Sequence, residues 1–239
     1  MFNMDIVALR EFYATPMGRM TSAMLLKAIR RVWPDCAGDE LATLGFALPL
    51  LLSFGKDCKQ IIPMMPGYQG AMAWPSLASN RIVLVNERML PLPPESMNRL
   101  LVMHTVENSR AAGKLLEELW RVLVPGGRVL LVVPNRRGIW AQAASTPFGC
   151  GQPYTLQQLG KRAGAKRFTL ASYQTCLFAP PLGRRWFLRL APLVELLGRV
   201  LLPESGGVIL MELEKQIYAS IPEPVQEDIR EPRLIPAMG

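Results

Sequence analysis

Between residues 41 and 135 short aliphatic runs recur with room for a helix or a turn between them, and this rhythm limits the chain to few folds. The runs are 41–45, "KQIIPMM" (59–65), "NRIVLVNE" (80–87), "MNRLLVMHT" (97–105) and the segment Arg128 to Val133 after "VPGG". Ile82 to Val85 is continuously aliphatic, the pattern of a strand covered on both faces. Between the fourth and fifth runs, "NSRAAGKLLEELWRVL" puts Leu115, Leu116, Leu119, Val122 and Leu123 on one helical face. A helix is also expected to start near Pro49. Such alternation predicts an α/β fold whose parallel strands are joined by right-handed helical crossovers.

The flanks extend this plan. Asp5 to Trp33 carries helical periodicity with a break at "TPMG", which predicts two short basic helices. After the fifth strand come a helix, "LQQLGKRAG", a strand, "RFTLASYQTCLFA", a cationic amphipathic helix interrupted at Pro192, and a last strand, "GGVILMELEKQIYA". A chain of 239 residues suits one domain. We expect it over 1–220, with 1–38 as a helical cap and 176–205 as a helical insertion before the last strand. The remainder, 221–239, holds Pro222, Pro224, Pro232 and Pro236 and is expected to be an extended tail.

Composition removes several functional classes. The four cysteines are scattered, with no CxxC pair and a single histidine to join them, which argues against a zinc site and predicts reduced thiols and no metal. The longest apolar stretch, Leu41 to Phe54, is broken by Thr43, Pro49 and Ser53 and is too short to span a bilayer. The N-terminus lacks the basic-then-apolar order of a secretory signal, so a cytoplasmic location is expected. A formal charge of +8 favours an anionic partner without choosing among nucleic acid, anionic lipid and acidic protein. Nucleic acid is disfavoured, because the cluster of Lys161, Arg162, Lys166 and Arg167 has no interleaved aromatics.

The stretch 90–135 resembles the class I S-adenosylmethionine-dependent methyltransferases, in particular the branch often called type 11. The resemblance rests on Leu90 to Pro94 with Ser96 to Asn98 (family LPFPD-x-SFD), His104 to Glu107 (H-x-x-E) and Arg121 to Gly127 (R-x-L-x-PGG). It implies a Rossmann-like, seven-stranded, mostly parallel sheet with its last strand antiparallel, helices on both faces and the N-terminal helices as a cap. It also implies S-adenosylmethionine bound at the carboxyl ends of the first strands, the usual ligand position in open α/β sheets.

Carried onto this sequence, the family's D-x-G-x-G-x-G turn falls on Thr43, Gly45, Ala47 and Pro49, so one glycine is kept and proline removes an amide donor. Gly45 and Ala47 are the expected turn residues; the plainer alternative is a buried strand and helix start that touches no ligand. Strand two lacks the acidic residue that binds the ribose, and Gln69 is the substitute, against a reading as a solvent-facing turn residue. Asn86, followed by Glu87, stands where the family has an adenine-binding Asp, and an amide oxygen can accept the same hydrogen bond. His104 is the candidate for orientation or base duty; alternatively it caps the next helix together with Glu107. Phe12, Tyr13 and Arg19 of the cap, with Phe148 and Tyr154 of the loop after strand five, fall near the expected acceptor pocket.

Two function classes follow. One is a methyltransferase with an unidentified acceptor. The other is a catalytically inactive methyltransferase-like protein that binds and regulates a partner, as a homodimer or hetero-complex, through apolar and basic surface. Residues 182–202, with Arg184, Arg185, Arg189 and Arg199 around Trp186, Phe187, Leu188, Leu190 and Leu193, add the expectation of peripheral membrane contact.

Overall fold

The structure, a computed structural model, describes residues 5–54 and 57–216. Seven strands form one sheet: β1 (Glu40–Gly45), β2 (Gln60–Pro66), β3 (Val83–Val85), β4 (Met97–Met103), β5 (Leu123–Pro134), β6 (Phe168–Cys176) and β7 (Val208–Lys215). Their spatial order is β3-β2-β1-β4-β5-β7-β6. The first five are parallel neighbours, and β7 runs antiparallel to both β5 and β6. The expected α/β sheet with an antiparallel last strand is therefore present.

Strand alternation divides the core in two. Leu101 and Met103 of β4, with Leu130 and Val132 of β5, face α1 (Ile6–Ala14), α2 (Pro16–Val32) and α3 (Leu48–Phe54). Leu100, Val102, Val129, Leu131 and Val133 face α4 (Ala112–Val122) and α5 (Leu156–Gly164). Local chemistry sets the helix starts. Asp5 accepts from the Ala8 amide, Thr15 caps α2 with Pro16 beside it, and Thr155 and Gln158 form a reciprocal capping box on α5. Trp33, at the end of α2, is tied to the sheet by its indole N–H, which donates to Glu212 of β7 at 2.9 Å.

Three expectations are corrected. No helix joins β2 to β3 or β3 to β4, so the regular alternation of strands and helices fails on this side of the sheet. In consequence β3 is a short edge strand with Leu84 56% exposed, not the doubly covered strand that its aliphatic run predicts; no helix is there to cover it. The sixth helix, α6 (Arg185–Leu201), runs through Pro192 without interruption. Pro192 is on its exposed side, where water can satisfy the carbonyl left without an amide. The expected tail, 221–239, lies outside the described residues. No helix among the described residues is long and apolar enough to cross a membrane.

Candidate functional site

The carboxyl ends of β1, β2, β3 and β4 bring the chemistry-bearing residues together. β1 ends at Gly45 with φ +89°, and a Cβ there would lie 2.0 Å from the Met103 carbonyl oxygen and 2.2 Å from Thr105 Oγ1. Only glycine allows this approach of the first turn to the end of β4. The Ala47 amide donates to the Gly45 carbonyl at 2.9 Å, and Pro49 has none to offer. Phe46 lies over the turn, stacked on Tyr13 of α1 with ring centroids 5.4 Å apart. Gly45 and Ala47 are both packed away from solvent, and Ala47 shares an apolar cluster with Phe46 and Tyr13.

His104 follows β4 directly and has φ +56°, in the left-handed region that few residues other than glycine adopt and that His, Asn and Asp enter more often than most. Its Nε2 is 2.8 Å from the Tyr13 hydroxyl, and its Nδ1 is 3.4 Å from Glu107 Oε1. Burial, with Glu107 nearby, pushes the Tyr13 phenol well above its ordinary range, so the phenol keeps its proton. If it donates to Nε2, the ring proton sits on Nδ1 and faces Glu107. Neither Nδ1 nor either carboxylate oxygen of Glu107 has a hydrogen-bond partner. Gln69 and Asn108 both donate to the His104 carbonyl, and Gln69 Oε1 is likewise unpartnered and buried. Phe148 closes the cluster, 4.9 Å from the imidazole between ring centroids.

Beside this cluster, a cleft of about 690 Å³ opens between the ends of β2 and β3, lined by Gly67, Tyr68, Asn86, Glu87, Asn108 and Arg110. Glu87 is buried; Oε1 accepts from Ser109 at 2.6 Å, and the carboxylate also meets the Tyr68 hydroxyl. Burial of the Tyr68 hydroxyl end, with Glu87 beside it, raises the Tyr68 pKa. Asn86 Oδ1 already accepts from the Arg88 amide at 3.0 Å, which shapes the turn after β3.

The sequence-predicted residues thus separate into layers. Asn86 and Glu87 line the cleft, Gln69 and His104 lie buried in the polar cluster, and Gly45 and Ala47 are buried without lining the cleft. Arg19 instead donates to the Ala14 carbonyl at the end of α1, and Tyr154 packs with the α4 and α5 side of the core. α4 begins with no side-chain cap, so neither His104 nor Glu107 serves as one. Glu107, Tyr68 and Arg110 enter the site without having been selected. Only Glu107 had a signal, its spacing from His104; Tyr13 meets His104 across 91 positions, which no local pattern announces.

No protein-family model matches the sequence, and no curated protein matches it significantly. Solved structures do. A methyltransferase of Thermotoga maritima superposes with TM-score 0.63 at 14% identity, over 87% of this chain and 94% of its own. A methyltransferase of Mesorhizobium loti gives 0.56 at 11% identity, over 79% and 96%. The fold is that of the S-adenosylmethionine-dependent methyltransferases. A [4+2]-cyclase also shares it, with TM-score 0.55 at 16% identity over 81% of this chain and 80% of its own. The methyltransferase fold alone therefore does not name a reaction.

The residues present suit the cofactor that this fold implies. S-adenosylmethionine carries a sulfonium and an ammonium cation, a carboxylate, a diol and an adenine. Glu87 and Glu107 offer buried carboxylate oxygens with spare accepting capacity to cations or hydroxyls, and Gln69 offers an unpartnered amide oxygen. Arg110 supplies a cation, and Asn86 and Asn108 supply amides at the cleft wall. Buried acceptors of this kind are costly unless something satisfies them.

Proposed function

We propose that this chain is an S-adenosylmethionine-dependent methyltransferase of the type 11-like branch that takes its cofactor at the ends of β2 and β3 and against the buried polar cluster behind them. The observation that supports this most is the set of buried oxygens on Gln69, Glu87 and Glu107 that lack a full complement of hydrogen bonds, gathered where open α/β sheets take ligands. The cofactor would supply a methyl group made electrophilic by its sulfonium, so the protein's share is binding, orientation and proton handling. Glu87 and Glu107 give the pocket the negative potential that suits a cation, a role the family gives to carboxylates that are Thr43, Asn86 and Asn98 here. Asn86 and Glu87 hold the nucleoside, with Gln69 behind them. Tyr13 and Glu107 hold the imidazole of His104 from its two sides. An acceptor reaches Nε2 once the Tyr13 hydroxyl withdraws, and Nε2 then takes the proton that the acceptor releases.

The stacking of Phe46 on Tyr13 favours a second reading, in which these two rings fill the cofactor's place permanently and the protein acts by binding a partner. Calorimetric titration of the folded protein with S-adenosylmethionine and S-adenosylhomocysteine separates the two. Saturable heat is expected, weakened by Glu87→Gln. Absence of heat and of a thermal shift at millimolar ligand would overturn the catalytic reading and leave the second.

A further inference from the structure

α6 is mounted with its apolar side outward. Its inward contacts are modest: Ala191 is fully buried, Gly198 lies against the Phe178 ring where a Cβ would come within 2.5 Å of Phe178 Cβ, and Glu195 points into the fold. The Glu195 carboxylate accepts from the backbone amides of Leu177 at 2.9 Å and Phe178 at 2.7 Å. Outward, Trp186, Leu190, Leu193, Leu197, Val200 and Leu201 recur at helical spacing, from 48% exposed at Leu190 to 70% at Val200 and Leu201. These residues form one stripe about 22 Å long at the helical rise per residue. Leu182 and Leu202 prolong it at both ends and are also exposed.

A soluble helix normally turns such a stripe to the core. We propose that α6 lies in the headgroup region of an anionic membrane, its leucines and Trp186 in the acyl boundary and its arginines at the lipid phosphates. Charge selects this occupant. Glu195 is the only acidic residue between 182 and 202, and its carboxylate is engaged by backbone amides. Arg189 stands beside the stripe and Arg184 at its start, and neither forms an ion pair among the described residues, while Arg199 lies on the inward side near Arg31. A second copy docked by the same stripe would bring further arginines and no free carboxylate from 182–202 to the contact, whereas an anionic surface neutralises Arg184 and Arg189, and a tryptophan beside a basic apolar helix suits the interface. This surface is independent of the methyl-transfer reading, since none of its residues lies in the cleft or the polar cluster.

The test is flotation of the full chain with phosphatidylcholine vesicles, with and without phosphatidylglycerol. We expect flotation with the anionic vesicles, reversed by high salt, and quenching of Trp186 by brominated acyl chains that is lost in Trp186→Phe. The pair Leu193→Glu and Leu197→Glu should lower the bound fraction about tenfold while circular dichroism and the thermal midpoint stay unchanged, because both side chains are already half-exposed. Three results would overturn the proposal: the chain stays in solution with every vesicle, the glutamate pair floats like the parent, or sedimentation shows a dimer that the pair dissociates.

Discussion

The substitution Glu107→Gln separates a site built for a ligand from a satisfied structural cluster. In the ligand-free protein both Glu107 oxygens are buried without a hydrogen-bond partner, and the nearest ring nitrogen of His104 is 3.4 Å away. Leaving a buried acceptor unsatisfied costs about 1–3 kcal/mol. The isosteric amide keeps one oxygen to accept from the Nδ1–H and removes a buried carboxylate charge, so the variant should be more stable than the parent by about 1–3 kcal/mol when no ligand is present. For a chain of this length 1 kcal/mol moves the midpoint by about 2–4 °C, and the expected rise is roughly 2–12 °C in scanning calorimetry. Repeating the scan with S-adenosylhomocysteine gives the second half of the prediction. A ligand at one hundred times its Kd adds about 2.7 kcal/mol to the parent, and the variant should recover much less of that gain. A lower midpoint for ligand-free Glu107→Gln refutes the reasoning, since it means that the carboxylate is already satisfied by His104.

Two further substitutions or titrations test other parts of the structure. Gly45→Ala must place a Cβ 2.0 Å from a backbone oxygen at φ +89°, so urea denaturation should show a loss above about 3 kcal/mol or failure to fold; a cost under about 1 kcal/mol would mean that the first turn does not pack on β4. Burial, reinforced by neighbouring Cys36, pushes the Cys58 thiol up to about 12. Its folded pKa lies above the unfolded value, so this contribution to stability is complete below the unfolded pKa and is lost as pH rises toward the folded one. Ellman's reagent at neutral pH should therefore react with Cys58 more slowly than with an unfolded control, and equal rates would contradict the assigned burial.

Much of the architecture was legible because its causes are local. Thr155, Gln158 and the apolar periodicity of "LQQLGKRAG" define α5 within one stretch, and the helix is found at 156–164. The aliphatic runs of β4 and β5 suffice for strands that neighbours cover on both faces. The same reasoning fails at β3, where the run is equally aliphatic and the covering helices are missing.

The alternation of strand and helix, the capping of the helices and the residue types at the strand ends can be read from the chain, since each depends on contacts within a few residues. Which faces are covered depends on packing between distant segments. That packing set Gly45 against the end of β4, joined Tyr13, His104 and Glu107 into one buried cluster, and pointed the apolar stripe of α6 away from the core. Burial is a property of what lies opposite, and for these residues the opposite side chain comes from a distant part of the chain.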